Sequence, residues 1–226
     1  SQVLAITGRV LPVTSEIIQL VAEFENGTRV TGESKICDFK KAQDCRITKV
    51  RLVPERPRAN PLALEAISRA DLILLGPGSL YTSVIPNLLV DGIADAIADA
   101  PALRAYVCNV MTQDGETEGY TAADHLRAIL THSGHKLVDF CLVNSEPMPE
   151  ELLPLYAKEN AVPITVDPSE IAAMGVALEE RPLADVRQRR LARHDPELLA
   201  QAAMQLVEEH TVRVVKNGSP RYVRER

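Results

Sequence analysis

The chain has 226 residues, enough for one large or two small domains and for a core that needs no disulfide or metal. With 25 Lys and Arg against 31 Asp and Glu its net charge is −6, which argues against a dedicated nucleic-acid binder. Aromatic residues make up 4% with no Trp, which argues against a stacking platform for single strands.

No apolar run reaches the roughly 18 residues of a membrane helix. The opening Ser1-Gln2-Val3-Leu4-Ala5 has no basic flank leading into a signal-type run. Cys37, Cys45, Cys108 and Cys141 form no C-x-x-C pair, and no His or Cys pair completes a metal site around Cys37 and Cys45. The reading is of reduced thiols in a cytoplasmic protein.

The predicted elements begin with a β-hairpin over residues 16–36. Ile18, Leu20, Ala22 and Phe24 alternate with mostly polar neighbours, and Asn26-Gly27 supplies the turn. Thr28-Arg29-Val30 opens a second, more polar run to Ile36. A further strand fits residues 46–53, with Ile47, Val50 and Leu52 facing inward. Residues 16–53 thus read as a β-rich insertion, which Pro54, Pro57 and Pro61 bring to a stop. Asn60 then caps a helix with Pro61 in its first position, running to Ala70.

From residue 71 the pattern changes to alternating strands and helices. Leu72-Ile73-Leu74-Leu75 reads as a strand buried on both faces. Helical segments over 82–89 and 91–99 follow, then a second buried strand over 104–110. Thr121 to Ser133 reads as a helix with Thr121 as cap, Asp124 three residues on and Gly134 as the stop. A strand over 138–143, a helix over 149–160 and a fourth strand over 162–166 complete a β-α-β-α-β-α-β order. That order predicts an α/β fold with a mainly parallel sheet and right-handed crossovers. Asp195-Pro196-Glu197 starts a last helix over 196–210. The segment 213–226, with Arg213, Lys216, Arg221, Arg224 and Arg226, reads as a solvated basic tail.

Ligands of open parallel sheets bind beyond the carboxyl ends of the strands. Gly76-Pro77-Gly78-Ser79-Leu80-Tyr81-Thr82-Ser83 lies there, directly after the strand 72–75. Its glycines admit a close anion, the helix start behind it offers N–H groups, and Ser79, Thr82 and Ser83 add hydroxyls, which suits a phosphate or diphosphate. It is neither a dinucleotide fingerprint nor a Walker loop, because position 81 is Tyr and no Lys-Ser/Thr follows. The plain alternative is an ordinary strand-to-helix turn. A second segment, 109–120, is long and polar for a βα loop. In it Asn109 suits a base or sugar, while Asp114, Glu116 and Glu118 either hold a hydrated Mg²⁺ or, the favoured reading, are solvated charges. The third is Asn144-Ser145-Glu146-Pro147; Asn144 matches Asn109 in position, or else caps the following helix. His132 and His135 straddle a helix end and read as surface residues rather than metal ligands. His125 falls within a helix and His194 just before a cap. No Ser-His-Asp order is present, so no catalytic residue is assigned.

Two long strings carry a resemblance. They are Leu75-Gly76-Pro77-Gly78-Ser79-Leu80-Tyr81-Thr82-Ser83-Val84-Ile85-Pro86-Asn87-Leu88-Leu89, and Asn109-Val110-Met111-Thr112-Gln113 with Gly115-Glu116-Thr117, Gly119-Tyr120 and Ala122-Ala123-Asp124-His125. Together with Gly8-Arg9-Val10-Leu11-Pro12 and Arg193-His194-Asp195-Pro196, they resemble the bacterial gluconeogenesis factor family over essentially the whole chain. Those are UDP-sugar-binding proteins related to the 2-phospho-L-lactate transferases of deazaflavin coenzyme synthesis. The resemblance implies a single Rossmann-like, three-layer α/β domain over residues 1–226 that binds a nucleotide diphosphate derivative. Gly76, Gly78, Ser79, Leu80 and Tyr81 would line the diphosphate, with Asn109 and Thr112 nearby; the reading of the loops adds Thr82 and Asn144 as candidates. It further implies a regulatory role in carbon metabolism, cell-wall supply and cell shape, without turnover. The alternative is a phospholactate transferase that uses a guanylyl diphosphate donor and Mg²⁺. The Met-Thr-Gln and Gly-Glu-Thr pattern favours the first. The family's Gly-rich N-terminal phosphate loop is not in this sequence. The expectation is therefore a domain that folds around residues 71–210, binds nucleotide weakly or not at all, and self-associates through an uncovered sheet edge.

Overall fold

The computed structural model describes residues 8–184, 192–216 and 219–224. The chain opens with β1 (Gln19–Phe24) and β2 (Arg29–Thr31), joined through Gly27 at φ 81°. Helix α1 (Glu33–Gln43) follows, then β3 (Ile47–Val53). The three strands form an antiparallel sheet in the order β2-β1-β3. The expected hairpin is present, but its second arm ends at Thr31 rather than continuing to Ile36. Past Gly32, at φ 99°, Ile36 and Phe39 lie three apart on one helix face. Ile36 is fully buried and Phe39 packs on Phe24 at 4.6 Å between ring centres. Ile47, Val50 and Leu52 are buried, as their alternation requires.

After α2 (Pro61–Ser68), capped by the Asn60 side chain, comes the parallel sheet. Its strands are β4 (Leu72–Leu75), β5 (Leu103–Val107), β6 (Phe140–Asn144) and β7 (Ala177–Arg181), in the order β4-β5-β6-β7. All three pairings are parallel. Between β4 and β5 lie a wide π-helical turn (Leu80–Val84), α3 (Ile85–Leu88) and α4 (Ile93–Asp99). Helix α5 (Ala122–Ser133) joins β5 to β6, with the Thr121–Asp124 capping box and left-handed Gly134 where the sequence places them.

The fourth strand differs from expectation. Residues 162–166 form no ladder strand, and Pro163, which lacks an N–H, argues against one. The segment instead crosses the loop after β5, touching it through the bridges Met111–Pro163 and Thr121–Thr165. The true fourth strand, β7, follows α7 (Pro168–Ala173) and carries Glu179, Glu180 and Arg181, a charged composition suited to a sheet edge. The helix expected over 149–160 is a 3₁₀ turn (Glu150–Leu152) and the short α6 (Leu153–Ala157). Strand β5 stops at Val107, three residues early. Leu72, Ile73 and Leu74 of β4 are only half-buried, whereas Ala105, Tyr106 and Val107 of β5 are fully covered on both faces.

Helix α8 (Pro196–His210), capped by Asp195, lays Ala202 and Leu206 over Ala105, Val107 and Leu142. The opposite sheet face presents Tyr106, Cys141 and Val143 to a larger core with Leu126 and Ile129 of α5. That core continues into Leu20, Phe24, Val50 and Leu52 of the antiparallel sheet. The segment from residue 213, expected as a solvated tail, instead contributes to the antiparallel strands β8 (Thr211–Lys216) and β9 (Ser219–Arg224). The β-branched run Thr211-Val212 and Val214-Val215 favours extended chain over coil. Among the described residues no helix is long and apolar enough to cross a membrane.

Candidate functional site

A cleft of about 850 Å³ opens beyond the carboxyl ends of β4 and β5. One wall is the turn Pro77-Gly78-Ser79; the floor is Asn109 to Asp114. Tyr156, Glu159 and Ala161 close one side, Ala192, Arg193 and His194 another, and Lys41 reaches in from α1.

The turn is fixed at Gly76, where φ is 91° and a Cβ would stand 3.2 Å from the Val107 carbonyl oxygen. Only glycine satisfies both conditions. The floor is built by crossed hydrogen bonds with the segment after α6. The Thr112 N–H donates to Val162 O at 2.7 Å, and the Val162 N–H donates to Thr112 Oγ1 at 2.9 Å. Ile164 N–H donates to Val110 O. Residues 162–166 therefore shape the site rather than extend the sheet.

The candidate residues divide. Gly78, Ser79, Asn109 and Thr112 line the cleft, and Gly76 sets its turn. Leu80 and Tyr81 are buried, and the Tyr81 hydroxyl pairs with that of Tyr120 at 2.7 Å, beside a separate recess. The Thr82 hydroxyl donates to Glu116 at 2.5 Å. Asn144 is committed to backbone: its oxygen accepts from Leu183 and Ala184 N–H, and its Nδ2 donates to Glu146 O. It borders a neighbouring recess of about 200 Å³, which it shares with Asn109.

The acidic loop departs furthest from expectation. Glu116 is 1% exposed, not a solvated charge. Its Oε2 accepts the Tyr81 N–H at 3.1 Å, and its Oε1 accepts from Thr82 and from the Cys37 thiol, 3.8 Å away. Burial raises its pKa, against which these donors pull down. The N–H of Tyr81, at the helix start expected to meet a phosphate, is thus already spent on a carboxylate. Glu118 pairs with Lys40 at 2.9 Å and Asp114 with Lys41 at 3.1 Å. The three acids diverge onto separate partners, an arrangement that does not fit a shared Mg²⁺. Cys37 is pushed up to about 11, chiefly by burial and then by Glu116, so it acts as a hydrogen-bond donor rather than a thiolate.

His194 and Arg193 enter the site although neither was singled out for it. His194 Nε2 lies 3.1 Å from Cys108 O, and burial lowers its pKa. The neutral ring with Nε2–H donating leaves Nδ1 as an acceptor. The available signal was the Asp195-Pro196 helix start, which brings the two preceding residues to the sheet's ligand end. Tyr156 braces the same wall, its hydroxyl accepting the Ala192 N–H at 2.6 Å. His132 is half-buried with both ring nitrogens engaged: Nδ1 donates to Ala128 O at 2.7 Å and Nε2 accepts the Val50 N–H at 3.1 Å.

Comparison with known proteins supplies the family. The chain is 50% identical over 176 residues to the gluconeogenesis factor of Halalkalibacterium halodurans, covering 78% of this chain and 53% of that one. It is 42% identical over 209 residues to the gluconeogenesis factor of Bacillus subtilis, covering 92% and 64%. The chain thus spans between half and two thirds of the length of these relatives. A crystal structure of a UPF0052 family protein from Bacillus halodurans superposes with a TM-score of 0.82 at 44% identity, covering 90% of this chain and 64% of that one. The family model described as 2-phospho-L-lactate transferase CofD matches residues 1–184, and the chain belongs to that CofD family.

Proposed function

We propose that the cleft beyond β4 and β5 binds a nucleotide diphosphate derivative, specifically a UDP-sugar. In this reading the protein is a regulatory binder in carbon metabolism, cell-wall precursor supply and cell shape, without turnover. One observation carries it: the backbone turn Pro77-Gly78-Ser79 faces Asn109 and Thr112 across a cleft that also receives Lys41 and Arg193. Backbone amides, hydroxyls and cations suit a diphosphate, and a carboxamide suits a base or sugar edge. The volume lies at the upper end of the roughly 300–1,000 Å³ of small-molecule sites. The names of the relatives support the metabolic setting.

The test is a thermal-shift panel at millimolar ligand, since the expected affinity is weak. UDP-N-acetylglucosamine or UDP-glucose at ten times Kd stabilises by about 1.4 kcal/mol, while UMP and glucose 1-phosphate do less. Ser79→Ala with Asn109→Ala, or Gly78→Asp, abolishes the shift. Equal shifts with all four compounds, or shifts that survive these changes, overturn the reading. The family model favours a second reading, phospholactate transfer from a guanylyl diphosphate donor; deazaflavin coenzyme formation would select it.

A further inference from the structure

We infer that Glu116 is a positioning residue for the ligand turn: its carboxylate serves as an internal anion that seats the start of the π-helical turn from behind and so presents Gly78 and Ser79 to the cleft. The inference rests on the reading of the cleft as a ligand site.

A helix start leaves N–H groups without intrahelical partners, and a buried one needs an acceptor. Here the acceptor is a side chain from another loop, 35 residues away in sequence. One oxygen takes the Tyr81 N–H; the other takes the hydroxyl of Thr82 and the thiol of Cys37. A carboxylate 1% exposed is stable there because donors converge on it from two elements.

The loop that delivers Glu116 is itself clamped. Gly115, at φ 86°, leaves no room for a Cβ, which would lie 3.0 Å from the Cys37 carbonyl oxygen. Lys40 and Lys41 of α1 hold Glu118 and Asp114 on either side. The load path runs from α1 through residues 114–118 to Glu116 and on to Tyr81. Gly78 and Ser79 stand three and two residues before Tyr81, so anchoring Tyr81 limits where they sit. A turn held in its binding geometry spares the ligand the entropy of ordering it.

The experiment uses the full 226-residue chain and hydrogen exchange, which needs no ligand. In Glu116→Ala, amide exchange over residues 79–84 rises about tenfold, while peptides of β5 and β6 stay within about twofold. Formate, a free carboxylate, returns exchange in this variant toward wild type; chloride at equal ionic strength does not. Tyr120→Phe, which loosens the other side of Tyr81, gains nothing from formate. Thr82→Val and Cys37→Ala each remove one donor and give smaller increases, so the result stands even if Glu116→Ala does not fold. Unchanged exchange over 79–84 in these variants, or a formate effect equal in wild type, overturns the inference. If wild type shows no selective UDP-N-acetylglucosamine shift, the ligand reading falls while exchange still decides the role of Glu116. If wild type shows the shift and Glu116→Ala keeps it in full, the positioning role falls alone.

Discussion

Arg104 and Asp139 make a bidentate pair across β5 and the entry to β6. Nε and Nη2 donate to the two carboxylate oxygens at 3.0 and 2.9 Å, and the Arg104 N–H adds a third bond at 3.1 Å. The side chains are only 12% and 19% exposed. Removing one partner of such a pair strands a charge, whereas replacing both with apolar groups often costs little. Asp139→Ala is therefore expected to destabilise by about 3–5 kcal/mol, and Arg104→Met with Asp139→Leu by less than half of that, read from urea midpoints. His132 carries a second residue-scale expectation, in pH. Its Nε2 can accept the Val50 N–H only when neutral, and burial lowers its pKa below the ordinary 6.5, with Lys49 adding to the effect. Below pH 6.5 the unfolded chain takes up a proton that the folded chain still refuses. The stability present above that pH is thus lost as pH falls through the depressed folded value. Urea midpoints between about pH 8 and pH 5 should fall more steeply in wild type than in His132→Gln, which keeps an acceptor without titrating. His125 and His194, also lowered by burial, set the background common to both.

Among elements, those with local signals were legible and those fixed by distant partners were not. Helix α5 carries both ends in its own sequence: the Thr121–Asp124 box satisfies the first N–H groups, and Gly134 takes φ 69°. Thr121→Ala is expected to cost about 1 kcal/mol by loss of the cap, measured as a shift in thermal midpoint. Helix α1 offers no such signal. Its N-cap is Gly32 without a side-chain bond, and its buried face includes Lys40, which reads as solvent-facing until Glu118 is found beside it. The same reasoning explains the site. The Gly76–Ser79 turn follows an apolar strand directly, so its place at the sheet end was readable from Leu72–Leu75 onward. The inward direction of Glu116 was not, because it depends on α1, whose first residues, up to Ile36, read as the hairpin's second arm and whose remainder carries no helix signal of its own. Strand β7 was missed because its Glu179-Glu180-Arg181 run makes sense only at an edge, where Arg181 reaches Glu179 at 2.8 Å and Glu209 at 2.6 Å.

At the scale of the molecule, the two larger sheets share one core. Leu20, Phe24, Val50 and Leu52 belong to the same buried cluster as Leu75, Tyr106 and Cys141. Helix α1 strengthens the connection with three further links, from Cys37, Lys40 and Lys41 to the loop after β5. A β-rich insertion stable by itself would own a separate core; this one does not. The expectation is one cooperative transition, with far-UV circular dichroism and hydrogen exchange of β1–β3 and β4–β6 peptides moving at the same urea concentration. Ile36 tests the coupling, since it is fully buried on α1, within the antiparallel half. Ile36→Ala should cost about 2–5 kcal/mol through the cavity it leaves. In a single cooperative unit that loss lowers the midpoint of peptides 19–53 and 103–144 together. If the antiparallel sheet unfolded independently, only peptides 19–53 would shift, and the chain of support from α1 to the ligand turn would fail with it.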